Sequence, residues 1–203
     1  NLARRGQEYG VAIEGGIRVD MKRVKARKDE ISGRSTAGVE KRLRELKNCT
    51  VFHDHARFES ARTVRVSNEV LEADKIFVNV GGRASVPSIA GLDQVPFLTN
   101  SSMMGVDFLP DHLVILGGSY IGLEFAQMYR RFGSEVTVIE MAPRLIARED
   151  EDVSGAIREI LQLEGIRIEV NAKCLAVESR GKSIALRVDC ESGLREISGS
   201  HLL

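Results

Sequence analysis

Apolar and polar residues in the second half of the chain follow, in turn, the periods of a strand, a helix and a second strand. Leu113–Leu116 is continuously apolar, which is typical of a strand buried on both faces. Apolar residues then recur at helical spacing, at Ile121, Phe125, Met128 and Phe132. Ser134–Glu140 contains a second strand-forming run, in which Val136–Ile139 are all β-branched, and it ends on a carboxylate. The pattern predicts a βαβ unit, in which a helix joins two parallel strands.

The segments on either side of this unit have shorter patterns. Residues 20–47 are charged and helix-like, and Asp20 is an acceptable N-cap. Short alternating runs predict strands at Thr50–Phe52, Arg57–Phe58, Thr63–Val66 and Ile76–Val80. After the βαβ unit, a helix is predicted near Val153–Leu163, followed by strands at Ile166–Val170, Ala172–Glu178, Ile184–Asp189 and Leu194–Ile197. These strands predict a β-meander added to the βαβ unit.

A glycine-rich turn joins the first strand of the unit to its helix. It consists of Gly117, Gly118, Ser119, Tyr120, Ile121 and Gly122. Gly117 permits a tight turn, and Gly122 lets the helix pack close to the strand. The free N–H groups at the helix start then face a pyrophosphate, and Glu140, 23 residues after Gly117, can accept hydrogen bonds from a ribose. Ser119 departs from the Gly-x-Gly-x-x-Gly pattern, but the surrounding elements predict that this segment binds a dinucleotide.

The residues after the second strand bear on the choice between NAD and NADP. The carboxylate of Glu140 would repel a 2′-phosphate, which favours NAD. Arg144 and Arg148 follow within eight residues, and an arginine close to the ribose can pair with a phosphate through two hydrogen bonds. Because Glu140 occupies the strand end itself, we expect a preference for NADH, with NADPH as the alternative.

Several motifs, met in order along the chain, resemble those of one known family. His55–Phe58 is similar to a short strand whose backbone touches the adenine of a flavin, and Leu98–Ser102 to the linker into a nucleotide domain. Ile76–Pro87, with Gly91–Asp93, resembles the crossover that ends the first flavin segment. Gly117–Glu124 resembles the nicotinamide-nucleotide motif. The family is that of the pyridine nucleotide-disulfide oxidoreductases, and the resemblance is closest to its mercuric reductase-like branch.

This resemblance implies a fold and a domain organisation. The implied fold class is α/β, with a Rossmann-like FAD/NAD(P)-binding domain of βαβ units and a β-meander, plus part of a second, interrupted FAD-binding domain. Residues 1–100 are expected to form the partial FAD-binding domain, with a helical segment, short strands and the crossover. Residues 101–203 are expected to form the NAD(P)-binding domain.

The resemblance also implies an activity and the residues that serve it. Enzymes of this family pass hydride from the nicotinamide to the flavin N5, and then to a disulfide or metal-thiolate substrate. Tyr120 would be the aromatic lid over the flavin, and Glu124 would lie near the contact between flavin and nicotinamide. The backbone of Ala56, Gly81 and Gly82 would approach FAD. The full-length protein is expected to be a homodimer that uses FAD and NAD, or NADP.

Three motifs of the family are not found in the sequence: the first flavin-binding glycine turn, the Cys-x4-Cys redox disulfide and the His-Glu pair of the dimer domain. We therefore expect an internal segment of a longer enzyme, which would be inactive and would not retain FAD when expressed alone. A ferredoxin- or rubredoxin-reductase-type flavoprotein, which needs no cysteine pair, is one alternative. A non-catalytic nucleotide-sensing module is another, and a gene without any flavin motif would favour it.

Composition and charge narrow the classes of partner. The 29 basic residues balance the 29 acidic ones, so net charge selects no partner. The basic run Met21–Lys28 leads directly into acidic residues and has no interleaved aromatic residues, so a solvated helix face is favoured over nucleic-acid binding. Cys49, His53 and His55 lack a fourth ligand, and no metal site is predicted. Three widely spaced cysteines and the absence of a long apolar run favour a cytoplasmic protein that does not enter a membrane.

Overall fold

The computed structural model describes residues 2–191 and 193–203, and these divide into two compact units. The smaller unit is Ala26–Arg83, and the larger one comprises Ala84–Leu203 together with the segment that ends at Lys25. The division at residue 100, which the family resemblance implies, remains a prediction.

The described residues of both units together form five α-helices, two 3₁₀ turns and ten strands. The α-helices are α1 (Leu2–Arg5), α2 (Met21–Glu45), α3 (Asn100–Met103), α4 (Tyr120–Phe132) and α5 (Glu151–Leu163). Two 3₁₀ turns lie at Gly6–Tyr9 and Leu92–Gln94. The strands are β1 (Ala56–Phe58), β2 (Thr63–Val66), β3 (Glu69–Glu72), β4 (His112–Leu116), β5 (Glu135–Ile139), β6 (Arg167–Glu169), β7 (Lys173–Arg180), β8 (Ser183–Cys190), β9 (Gly193–Gly199) and β10 (His201–Leu202).

A four-stranded parallel sheet forms the centre of the larger unit. Its strand order is β10-β4-β5-β6. The helix α4 connects β4 to β5, and α5 connects β5 to β6, so the predicted βαβ unit is confirmed and continues into a second one. In register, Leu113 of β4 lies beside Val136 of β5 on one side and beside His201 of β10 on the other. The α/β fold class predicted from the sequence is therefore confirmed.

Alternate residues of β4 enter two different hydrophobic clusters. Leu113 and Ile115 belong to the cluster that also holds the apolar residues of α4 and α5. Val114 belongs to a second cluster, which includes Leu186 and Val188 of the three-stranded antiparallel sheet β7-β8-β9. Because successive side chains of a strand point to opposite faces, the parallel sheet is covered by helices on one face and by the meander on the other. The helices and the meander were predicted as elements, and their packing on the two faces of the sheet gives the larger unit three layers.

The longest helix, α2, has 25 residues and is mostly exposed. Its start was predicted correctly, because the Oδ1 atom of Asp20 accepts a hydrogen bond from the backbone N–H of Arg23 at 3.1 Å. Pairs at i, i+4 spacing follow along its surface, such as Arg34–Glu30, with 2.8 Å between nitrogen and oxygen. In the part of the chain that the structure describes, no helix is long and apolar enough to cross a membrane.

The smaller unit contains an antiparallel sheet of order β1-β2-β3. The strand predicted at Thr63–Val66 is β2, with the bounds expected. The strands predicted at Thr50–Phe52 and Ile76–Val80 are wrong, because both segments lack regular secondary structure. Phe77 and Val80 are 89% and 87% exposed, so the apolar run has no sheet to join among the described residues. The chain instead turns at Ser67, with φ 54°, and continues into β3, which was not predicted.

Candidate nucleotide-binding site

The glycine turn lies where it was predicted, between the end of β4 and the start of α4. Gly117 has φ 113°, a value that L side chains rarely adopt, and no atom lies within 4 Å of the position a Cβ would take. Its N–H donates to the carbonyl oxygen of Ile139 at 2.9 Å, which ties the turn to the end of β5. Gly117 therefore provides both the left-handed turn and open space beside it.

Gly122 allows α4 to pack closely against the strand. A Cβ at this position would overlap the carbonyl oxygen of Gly117 and would lie 3.3 Å from Cγ2 of Ile115. The overlapping atom belongs to the backbone, so a side chain there could not be accommodated by a rotamer change. The role predicted for Gly122, close packing of helix and strand, agrees with this geometry.

The backbone N–H and the carbonyl oxygen of Gly118 are both hydrogen-bonded to the segment that follows β5. The N–H of Gly118 donates to Oε2 of Glu140 at 2.5 Å, and its carbonyl oxygen accepts from the N–H of Ile146 at 2.9 Å. The amide of Gly118 is therefore not free to face a phosphate. In the described part of the chain, no group accepts a hydrogen bond from the amides of Tyr120 or Gly122. The amides that remain open to a phosphate are therefore those of Tyr120 and Gly122, in the first turn of α4.

Glu140 is held in place by two backbone amides. Its Oε2 atom accepts from Gly118, and its Oε1 atom accepts from the N–H of Ala142 at 2.7 Å. A carboxylate has about four lone-pair sites, so two hydrogen bonds leave acceptor capacity on both oxygens. The backbone of Glu140 is also fixed, since its N–H donates to the carbonyl oxygen of Glu169 at 2.8 Å. The result is a rigid acceptor at the carboxyl end of β5.

A cavity of about 1030 Å³ opens beside the turn, entirely within the larger unit. Gly118, Ser119, Tyr120 and Glu124 line it on the side of α4. Glu140 and the segment after β5 line a second side, and the apolar side chains of α5 line a third: Val153, Ile157, Ile160 and Leu161. The cavity thus combines a carboxylate acceptor, the start of a helix and an apolar wall. Such a mixture suits a ligand with hydroxyl, anionic and aromatic parts.

The two arginines after β5 differ in what they contact. Nη2 of Arg144 donates to the carbonyl oxygens of Ala147 and Glu149, at 3.2 Å each. Arg148 is exposed and lines the cavity. Arg144 is therefore bound within its own segment, and Arg148 is the arginine that faces the cavity.

Tyr120 and Glu124 lie on the first turns of α4 and both line the cavity. Tyr120 is 66% exposed, so its ring is available to a ligand. Ile121 points elsewhere: with Gly117 and Gly122 it lines a smaller cavity of about 260 Å³, whose other walls include Pro87 and Leu203. The six residues of the glycine turn are thus divided between two cavities that share Ser119.

The residues predicted to approach FAD lie in the smaller unit. Ala56 is the first residue of β1 and is exposed. Gly81 has φ 71°, and neither Gly81 nor Gly82 has an atom within 4 Å of a Cβ position. This open space is compatible with close approach of a ligand to the backbone, but it does not select a flavin. Within residues 2–191 and 193–203, no three His, Cys, Asp or Glu side chains form a group that could hold a metal ion.

Three residues that support the glycine turn or the loop beside the cavity were missed in the sequence, and of these only Ile146 lines the cavity. Ile146 binds the turn through its N–H, and Leu145, which is fully buried, occupies the space beside Gly118. Ser154 is also buried, and its Oγ atom donates to the carbonyl oxygen of Leu145 at 2.8 Å. The only signal was the apolar pair at 145 and 146 inside a charged stretch, which is too short for a periodic pattern.

Comparison with known proteins identifies the family. The family model described as pyridine nucleotide-disulphide oxidoreductase matches residues 6–201, and the chain belongs to this family. A mercuric reductase from Streptomyces lividans is 35% identical over 158 residues, which are 75% of this chain and 33% of that protein. The probable pyridine nucleotide-disulfide oxidoreductase RclA of Escherichia coli is 38% identical over 135 residues, or 64% of this chain and 31% of RclA.

A solved structure agrees with the sequence comparison. The HOCl-induced flavoprotein disulfide reductase RclA from Escherichia coli matches with a TM-score of 0.80 and 32% sequence identity. The match covers 91% of this chain and 42% of that structure. The chain spans about a third of the length of the two relatives above. The family and the fold are therefore established.

Proposed function

We propose that the larger unit binds a nicotinamide nucleotide and that the protein is an FAD-dependent NAD(P)H oxidoreductase. The observation that carries the proposal is the hydrogen bond between the Gly118 amide and the Glu140 carboxylate. It fixes the Glu140 carboxylate close to the glycine turn that leads into α4, which supports a role for Glu140 as an acceptor for ribose hydroxyls. Family membership supports the pairing of this nucleotide with a flavin.

Each part of the site has a distinct task in this proposal. The amides at the start of α4 bind the pyrophosphate, helped by the positive end of the helix dipole. Glu140 accepts hydrogen bonds from the hydroxyls of the adenosine ribose. Tyr120 would cover the flavin before a nicotinamide is bound, and Glu124 would lie near the contact between the two rings. When both cofactors are bound, the nicotinamide would supply a hydride to the flavin, and the protein would contribute binding and orientation.

The backbone at Ala56, Gly81 and Gly82 is proposed to approach FAD, since Gly81 and Gly82 leave the space that a bound phosphate needs. The final acceptor is proposed to be a disulfide or a metal-thiolate. The relatives named mercuric reductase and flavoprotein disulfide reductase support this class of acceptor. Homodimer formation is part of the same proposal.

The contacts of Arg144 support a preference for NADH. Its guanidinium is bound to Ala147 and Glu149, so it is not positioned to compensate for the negative charge of Glu140. Calorimetric titration of the purified protein should show tighter binding of NAD⁺ than of NADP⁺ by about tenfold, which corresponds to about 1.4 kcal/mol. Glu140→Ala should narrow this ratio. Binding of neither nucleotide would disprove the site, and tighter binding of NADP⁺ would disprove the role of Glu140.

A further inference from the structure

One wall of the nucleotide cavity carries a strained residue. This wall, the cavity loop, is the segment Ala142–Glu149. Ile146 has φ 40°, in the left-handed region that is unfavourable for a β-branched side chain. In this conformation the N–H of Ile146 reaches the carbonyl oxygen of Gly118 while its side chain lines the cavity. A backbone conformation of this kind persists only where surrounding contacts enforce it.

Arg144 supplies contacts of that kind. Its Nη2 atom bridges the carbonyl oxygens of Ala147 and Glu149, which follow Ile146 in the chain. The N–H of Glu149 in turn donates to the carbonyl oxygen of Ile146 at 2.8 Å. On the other side of Ile146, the carbonyl oxygen of Leu145 is bound by Ser154. Hydrogen bonds thus hold the backbone on both sides of Ile146.

We propose that Arg144 is a positioning residue of the nucleotide cavity, which acts by holding Ile146 in its strained conformation. This rests on the nucleotide-binding function proposed above. The Nε atom of Arg144 is buried and has no partner among the described residues, so the side chain lies within the loop instead of extending to the ligand. Arg144 therefore contributes to the affinity for any nucleotide with an adenosine ribose, and not to the recognition of a 2′-phosphate.

Titration of Arg144→Leu with NAD⁺ and NADP⁺ distinguishes a positioning role from direct recognition of a 2′-phosphate. Loss of the bridge should weaken binding of both nucleotides by about tenfold and leave their ratio unchanged. Arg144→Lys, which keeps the charge but lacks the planar fork, should show an intermediate loss. Arg158→Leu is the matched control, because Arg158 lies on α5, does not line the cavity and makes no hydrogen bond or ion pair within the described chain. A loss confined to NADP⁺ would overturn the proposal.

A second variant tests whether Arg144 acts through Ile146. Asparagine tolerates the left-handed region, so Ile146→Asn removes most of the strain that the bridge opposes. In that background, Arg144→Leu should change the affinity for NAD⁺ by less than about twofold. A full tenfold loss in both backgrounds would show that Arg144 does not act through the strained residue.

Hydrogen exchange without any nucleotide tests the positioning role independently. In Arg144→Leu, the amides of Ile146 and Glu149 should exchange about tenfold faster, and in Arg158→Leu they should not change. Unchanged exchange in Arg144→Leu would overturn the proposal. If the wild-type protein binds neither nucleotide, the proposed function fails, and the exchange rates still decide whether Arg144 holds the loop.

Discussion

The three glycines of the turn are needed for different physical reasons. Gly117 is required by its positive φ, and Gly122 is required by the backbone atom that its Cβ would overlap. Gly118 has neither a positive φ nor a backbone neighbour, and a Cβ there would meet the side chains of Leu145 and Glu140. A substitution at Gly118 would therefore act first by displacing the side chain of Leu145 and then that of Glu140, whereas one at Gly122 would displace the whole helix.

Comparison of two glycine-to-alanine variants tests this reasoning. Gly122→Ala should destabilise the protein by about 1–3 kcal/mol and weaken nucleotide binding by at least about tenfold, because α4 must move away from β4. Gly155→Ala is the control: this residue lies inside α5 with open space beside it, and alanine should stabilise the helix by about 0.5–1 kcal/mol. Urea unfolding and calorimetric titration give the two quantities. Equal stability of both variants would contradict the packing role of Gly122.

At the same scale, the sequence predicted the residues of the turn but not their partners. Gly117, Gly122 and Glu140 were identifiable because each occupies a fixed place in a strand-turn-helix pattern. The Gly118–Glu140 hydrogen bond joins residues 22 apart, and nothing in their spacing requires it. The sequence also could not show that Arg144 is bonded within its own segment while Arg148 lines the cavity, because both follow the same strand within eight residues.

The helices α4 and α5 are joined by a polar contact at the end of α5. The carboxylate of Glu164, the C-cap residue, accepts hydrogen bonds from Gln127 at 2.8 Å and from Arg131 at 2.5 and 2.7 Å. Its carbonyl oxygen accepts from Nε of Arg130 at 2.8 Å. The hydrogen bond from Arg131 is the main reason why the pKa of Glu164 is lowered. Glu164 thus links the two helices on the face of the sheet that they cover.

Removal of this carboxylate should weaken the attachment of α5. Glu164→Ala should lower the free energy of unfolding by about 1–2 kcal/mol, since charged hydrogen bonds at a half-buried site are lost. Glu159→Ala, at an exposed position of the same helix, should change it by less than about 0.5 kcal/mol. Urea denaturation of both variants measures the difference. If the two variants have the same midpoint, Glu164 does not join the helices.

Strands were predicted correctly where another strand of the described chain pairs with them. The strands β4 and β5 pair with each other, and their apolar runs therefore became strands with nearly the expected bounds. Ile76–Val80 has an equally apolar sequence but finds no hydrogen-bonded neighbour among the described residues. Strand propensity reports how well a residue fits a sheet, and it cannot create the adjacent strand. The failed prediction thus reflects tertiary context.

On the scale of the whole molecule, the formal charges cancel. The response of stability to pH then depends on individual groups, and two half-buried histidines have shifted pKa values. His112 of β4 and His201 of β10 lie on adjacent parallel strands. Burial lowers the pKa of both imidazoles, and nearby Arg167 lowers that of His112 further. Nε2 of His112 is 2.9 Å from Oγ1 of Thr137, which is buried. The folded protein therefore favours the neutral form of both rings.

The stability of the folded protein should consequently decrease as the pH falls below about 6.5, the ordinary pKa of histidine in an unfolded chain. In that range the unfolded chain binds protons that the folded one resists, so the free energy of unfolding rises with pH until both forms are neutral. The dependence should extend down to the lowered pKa values and then level off. His112→Asn should make the urea midpoint less dependent on pH between about pH 7 and 5, and adding His201→Asn should reduce the dependence further. A wild-type midpoint that is constant over this range, or one that rises as the solution becomes acidic, would show that burial of these two rings does not govern the acid response of the sheet.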